Sequence, residues 1–122
     1  MVPDDELARS LAALPLPPAA TAARAALLAG RPVDALAALD ARGPLTAAEI
    51  HLRGLAHLLR GDLYRAADAF QAATDADPAL FEPLYRLGLI EVLREEQASA
   101  VRTLRAALER QPDHPGAIAA LA

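Results

Sequence analysis

The chain has 122 residues, of which 32 are Ala and 22 Leu, about 44% in all; it holds no Cys, Trp, Lys or Asn, and its 12 basic residues are all Arg. Such a wealth of helix formers, with few β-branched or aromatic residues, excludes a β-sandwich or barrel, and the missing cysteine removes disulfides, thiolate metal sites and thiol nucleophiles. A formal net charge of −4 argues against a nucleic-acid partner, because phosphate binding needs a basic surface.

Taken in chain order, residues 1–15 read as a leading helix or cap, from about Pro3 to Leu14, closed by Pro15-Leu16-Pro17-Pro18. The opening Met1-Val2-Pro3-Asp4-Asp5-Glu6 is acidic where a secretory signal needs a basic segment. The most apolar stretch, Leu11 to Ala29, is interrupted by prolines and Arg24. A spanning helix needs about 20 consecutive apolar residues, so the expectation is a cytoplasmic chain with no membrane insertion.

Residues 16–46 read as a degenerate helix pair, Ala19–Ala29 and Pro32–Arg42, with Gly30 and Gly43 as stops. Residues 47–80 form the first full unit. Thr46-Ala47-Ala48-Glu49 is a capping box, in which hydroxyl and carboxylate satisfy orphan N–H groups at a helix start. Ile50, Leu52, Leu55, Leu58 and Leu59 follow, Gly61 ends this helix and Asp62 caps the next. Leu63, Ala66, Ala67, Phe70 and Ala73 then share one helical face, and Asp77-Pro78 stops it. Residues 81–114 repeat the pattern with helices near Glu82–Arg94 and Gln97–Arg110, and residues 115–122 begin a further helix.

The two full units align at an offset of 34 residues. Gly54 meets Gly88, Ala66 meets Ala100, Phe70 meets Leu104, Ala73 meets Ala107 and Pro78 meets Pro112. Gly30 aligns with Gly61 at an offset of 31, so three residues are missing from the end of the degenerate unit and its loop through Gly43-Pro44 must be shorter or differently shaped. Ala and Gly at these points let helix backbones approach closely, while Phe70 and Leu104 fill the gap between units. No unit buries its apolar face alone, so the units must stack.

Ile50, Arg53, Gly54, His57, Ala66, Phe70, Ala73 and Pro78, with Leu84, Leu87, Gly88, Glu91, Ala100, Leu104, Ala107 and Pro112 in the next copy, resemble the tetratricopeptide repeat of small bacterial-type domains. Ile50 and Leu84 stand where that family has a large aromatic, Arg53 where it has Leu, and His57 and Glu91 where Tyr is common. The resemblance implies an all-α fold, a right-handed superhelical stack of antiparallel helix pairs, with a concave face lined by the first helix of each unit. It assigns to that face Ala20, Arg24 and Leu27, then Ala48, His51, Leu52, Leu55 and Leu58, then Glu82, Tyr85, Arg86, Leu89 and Val92.

This face is expected to be a mostly apolar groove for a peptide or helix of a protein partner, with Arg24, His51, Tyr85 and Arg86 as polar anchors. The alternative is that the superhelix or the leading helix buries part of it. With no Lys or Asn and only Arg86 at a matching position, the carboxylate clamp of chaperone-binding relatives is not expected. Ile118 and Leu121, in a terminal segment without polar side chains, either cap the last unit or pair with another copy in a homodimer. A self-assembling scaffold or a small secretion-chaperone-like protein is the alternative function.

An enzyme is not expected, nor any cofactor or metal. There is no phosphate loop, GxSxG elbow or HExxH. His51 and His57 are about 240° apart around their helix, and His57 is expected at a helix contact. His114 is expected in solvent. Glu95-Glu96 and the Asp75/Asp77 pair fall at turns, where capping and solvation account for them.

Overall fold

The computed structural model describes residues 5–14, 16, 17 and 20–121; Pro3, Pro15, Pro18, Ala19 and Ala122 lie outside them. The described residues form eight helices and no strands: α1 (Asp5–Ala13), α2 (Thr21–Leu28), α3 (Pro32–Asp40), α4 (Ala47–Leu59), α5 (Leu63–Ala76), α6 (Phe81–Leu93), α7 (Gln97–Arg110) and α8 (Pro115–Leu121). Each helix packs on its chain neighbour, and α2 also meets α4 as α6 meets α8. Among these residues no helix is long and apolar enough to cross a membrane.

The ends of the helices follow from local chemistry. At α4, Thr46 Oγ1 accepts from the Glu49 amide at 3.2 Å, and Glu49 Oε1 accepts from the Thr46 amide at 3.0 Å. Asp62 caps α5 by accepting from the Arg65 amide at 3.1 Å. The first helix of each pair ends in one hydrogen-bond pattern. The amides of Gly30, Gly61 and Glu95 donate to Leu27, Leu58 and Val92, and the next amides, of Arg31, Asp62 and Glu96, donate to Ala26, His57 and Glu91. This double bond is the Schellman cap, which requires a left-handed residue: φ is 73° at Gly30, 78° at Gly61 and 61° at Glu95.

The 34-residue period is also a packing period. A Cβ added to Gly54 would lie 2.5 Å from the Phe70 ring, and one added to Gly88 would lie 2.6 Å from Leu104. A glycine on the first helix of each of the two full pairs therefore admits the large side chain of the second. Ala66, Ala73, Ala100 and Ala107 are all buried, as close helix approach requires. Between units, the turns at residues 77–80 and 111–114 make the same bonds: Asp77 and Gln111 amides donate to Ala73 and Ala107, and Leu80 and His114 amides to Asp77 and Gln111.

The degenerate unit departs in its second helix. Helix α3 has 9 residues where α5 has 14, yet the loop at 41–46 is longer than the turn at 77–80. The missing residues therefore come out of the helix, and Gly43 lies beyond the end of α3 instead of stopping it. An ion pair holds this loop: Arg42 Nη2 donates to Glu49 Oε1 at 3.0 Å, and Arg42 Nε faces Glu49 Oε2. Burial pushes the Glu49 carboxyl up, but hydrogen bonds from Arg42 and Thr46 and the Arg42 charge outweigh it, so its pKa falls below the ordinary value.

Two apolar clusters meet at α6. Leu11, Leu27, Leu39, Leu52, Leu55 and Phe70 form the larger with Leu87 and Ile90. Phe81, Leu84, Tyr85, Leu104, Ala107 and Ala117 form the smaller.

Candidate partner-binding face

Helices α2, α4 and α6 are the first helices of their pairs, and the candidate residues lie along them. Leu27, His51, Leu55 and Tyr85 are buried. Arg24, Leu58, Arg86 and Leu89 are half-buried, and Val92 is 44% exposed. The expected open groove is therefore corrected at four positions. Leu27 and Leu55 are closed into the larger cluster together with Leu11 of α1. His51 packs against the Phe70 ring, 5.1 Å between centroids. Tyr85 packs on Phe81 and His114, at 5.4 Å and 4.6 Å. What stays at least partly accessible is Leu58, Leu89 and Val92, with Arg24, while the Arg86 side chain is only 14% exposed.

The covering element is α1. Leu11 is fully buried and Ser10 and Leu14 nearly so. Toward the other end of α1, Glu6 reaches the Tyr85 phenol: burial first, then the hydrogen bond to Glu6 and its charge, push that pKa up to about 12. Arg86 lies over the Tyr85 ring at 5.6 Å and 3.9 Å from Glu82. Burial raises the Glu82 pKa, Arg86 lowers it and Glu6 raises it further. Arg86 also acts on His51, whose pKa burial and that positive charge bring down to about 3. One guanidinium thus stands among Glu6, His51, Glu82 and Tyr85.

His114 is not in solvent as expected. It is half-buried, its ring lies 4.6 Å from Phe81, and its Nδ1 accepts from the Ala117 amide at 3.1 Å, capping α8. A Cβ on Gly116 would collide with the Tyr85 hydroxyl, so that glycine makes room for the phenol. His57 is half-buried, and burial is the main cause of its lowered pKa. Among the described residues no group of three or more His, Cys, Asp or Glu could hold a metal ion. Ile118 is 49% exposed and Leu121 half-buried. Sequence reasoning missed Glu6 as a member of this site; five residues before Leu11, it falls outside the i+3 and i+4 spacings that would mark a shared face. No family model matches the chain.

Proposed function

We propose that the chain is a non-enzymatic protein-interaction module of tetratricopeptide-like architecture, a right-handed stack of helix pairs acting in the cytoplasm. It binds a helix or extended peptide of a partner along the face of α2, α4 and α6. The observation that supports this reading most is the recurrence, 34 residues apart, of the glycine-on-large-residue contact at Gly54–Phe70 and Gly88–Leu104. A chain built from repeated pairs presents one row of first helices, and rows of this kind serve as extended binding surfaces. On the accessible part of that row, Leu58, Leu89 and Val92 supply apolar contact and Arg24 supplies charge. Leu55 is a core residue, so the informative substitutions are at the accessible strip. Leu89→Asp and Val92→Asp should each lose at least about tenfold in partner capture from a lysate of the native organism, with helical circular dichroism unchanged. Capture equal to wild type by both variants would refute the assignment of this face.

A second reading is self-assembly through the α6–α8 end. It is favoured by Leu93, 67% exposed, and Ile118, 49% exposed, near a cavity of about 440 Å³ lined by Val92, Val101, Leu104 and Leu121.

A further inference from the structure

Helix α1 lies across the row of first helices, with Leu11 in the cluster that holds Leu27, Leu52, Leu55, Leu87 and Ile90, and with Glu6 against Tyr85. Its 9 residues are too few for an isolated helix to be stable in water, since nucleation is costly and about 12–15 residues are needed even in good cases. The face it covers therefore holds it helical. Prolines 15, 17 and 18 separate it from α2 in sequence, so no helix runs from one into the other.

The polar end of this contact is poorly satisfied. Glu6 Oε1 and Arg86 Nη2 are buried without a hydrogen bond among the described residues, and Arg86 Nε and Glu82 Oε2, also buried, face each other as an ion pair at 3.9 Å, beyond hydrogen-bond distance. A buried polar group left without a partner is costly, and buried polar atoms of permanent cores are almost always bonded. A guanidinium that meets Glu82 only at 3.9 Å and keeps an unbonded Nη2, beside a phenol that Glu6 reaches, describes a site where a better-placed carboxylate would bind more tightly than Glu6 does.

We propose that α1 is a resident ligand of the partner-binding face. It occupies in cis the place of an amphipathic partner helix that carries a carboxylate at the Glu6 position and a leucine five residues later, and that partner binds by displacing α1. This rests on the reading of the chain as a helix-binding module. The Tyr85 phenol and the unbonded Arg86 Nη2 receive the carboxylate, and the cluster around Leu27, Leu52 and Leu55 receives the leucine.

The test uses the full chain and a fluorescent peptide of residues 1–17, read by polarisation. Leu11→Asp and Glu6→Arg each weaken the seating of α1 in cis. A short tether supplies an effective concentration on the order of mM, so the wild-type chain resists the free peptide. Both variants should bind it at least about tenfold more tightly than wild type. Arg86→Glu added to Leu11→Asp should weaken that binding, and a peptide carrying Glu6→Arg should recover it. If Leu11→Asp loses helical circular dichroism, Glu6→Arg carries the measurement, with its own Arg86→Glu double variant. Equal peptide affinity for wild type and variants, no binding to helical variants, or variants that associate by exchanging α1 would each overturn the proposal. The assay needs no partner, so its failure leaves the capture result for Leu89→Asp and Val92→Asp standing.

Discussion

His51 is a fully buried imidazole on α4, packed on Phe70 and facing the field of Arg86. Burial removes water from the charged form and the guanidinium repels it, so the folded pKa is about 3 against an ordinary 6.5. Between these values the unfolded chain binds a proton that the folded chain refuses. The contribution of His51 to stability is thus complete above pH 6.5 and falls toward pH 3, by up to about 1.4 kcal/mol per pH unit. Glu82 works in the opposite sense, since its raised pKa makes the fold take up a proton first as pH falls. Glu49 adds to the acid loss only below the ordinary carboxylate range. Comparing a single variant with wild type at each pH separates these. His51→Leu, in urea titrations at pH 7, 6 and 5, should lose less stability on acidification than wild type, by about 1 kcal/mol between pH 6 and 5. Parallel curves would show that His51 takes up its proton without cost.

At the scale of the element, the helix caps show what a sequence carries and what it hides. Gly30 and Gly61 mark the ends of α2 and α4, and their alignment places two caps correctly. The third cap, at Glu95, has the same two hydrogen bonds and a φ of 61°, but no glycine announces it. The cap is a property of the backbone, imposed by the turn into α7, and the side chain tolerates it at a cost. An L-residue in the left-handed region costs about 1–2 kcal/mol relative to its preferred state, and glycine adopts it freely, at the expense of greater unfolded-state entropy. Glu95 is exposed, so removing its side chain should sacrifice little packing. Glu95→Gly should therefore stabilise the chain by about 0.5–1 kcal/mol, read as a higher urea midpoint at constant m-value. A lower midpoint would mean that the Glu95 carboxylate does more than occupy a turn. The shortening of α3 was hidden for a related reason: the alignment counts missing residues but does not say which element loses them.

Across the whole molecule, helix content and the close approach at Gly54 and Gly88 were legible in the sequence because they depend on residues within one period; that Phe70 and Leu104 meet those glycines inside their own unit was not, since their expected place was the gap between units. The burial of the candidate face was not legible either, because it depends on α1 meeting α6 through Glu6 and Tyr85, about 80 residues apart in the chain. The α6–α8 end poses the same question, with no covering element among the described residues. Val92, Leu93 and Ile118 leave apolar surface exposed, and Val92 lines a cavity with Leu104 and Leu121; exposed apolar patches of sufficient size mark association sites. The size of the patch sets the strength expected. A stable interface buries about 800 Å² on each partner, more than a 7-residue helix and two neighbouring side chains offer. Any self-association through this end should accordingly be weak and concentration-dependent, with dimers appearing in light scattering only at high micromolar protein. Ile118→Asp and Leu121→Asp should abolish it, since each places a charge in the contact. Ile118→Asp should do so with little loss of stability, because that side chain is half in water already. A wild-type chain that stays monomeric to millimolar concentration, or dimers indifferent to both substitutions, would remove this end from consideration as an interface between copies.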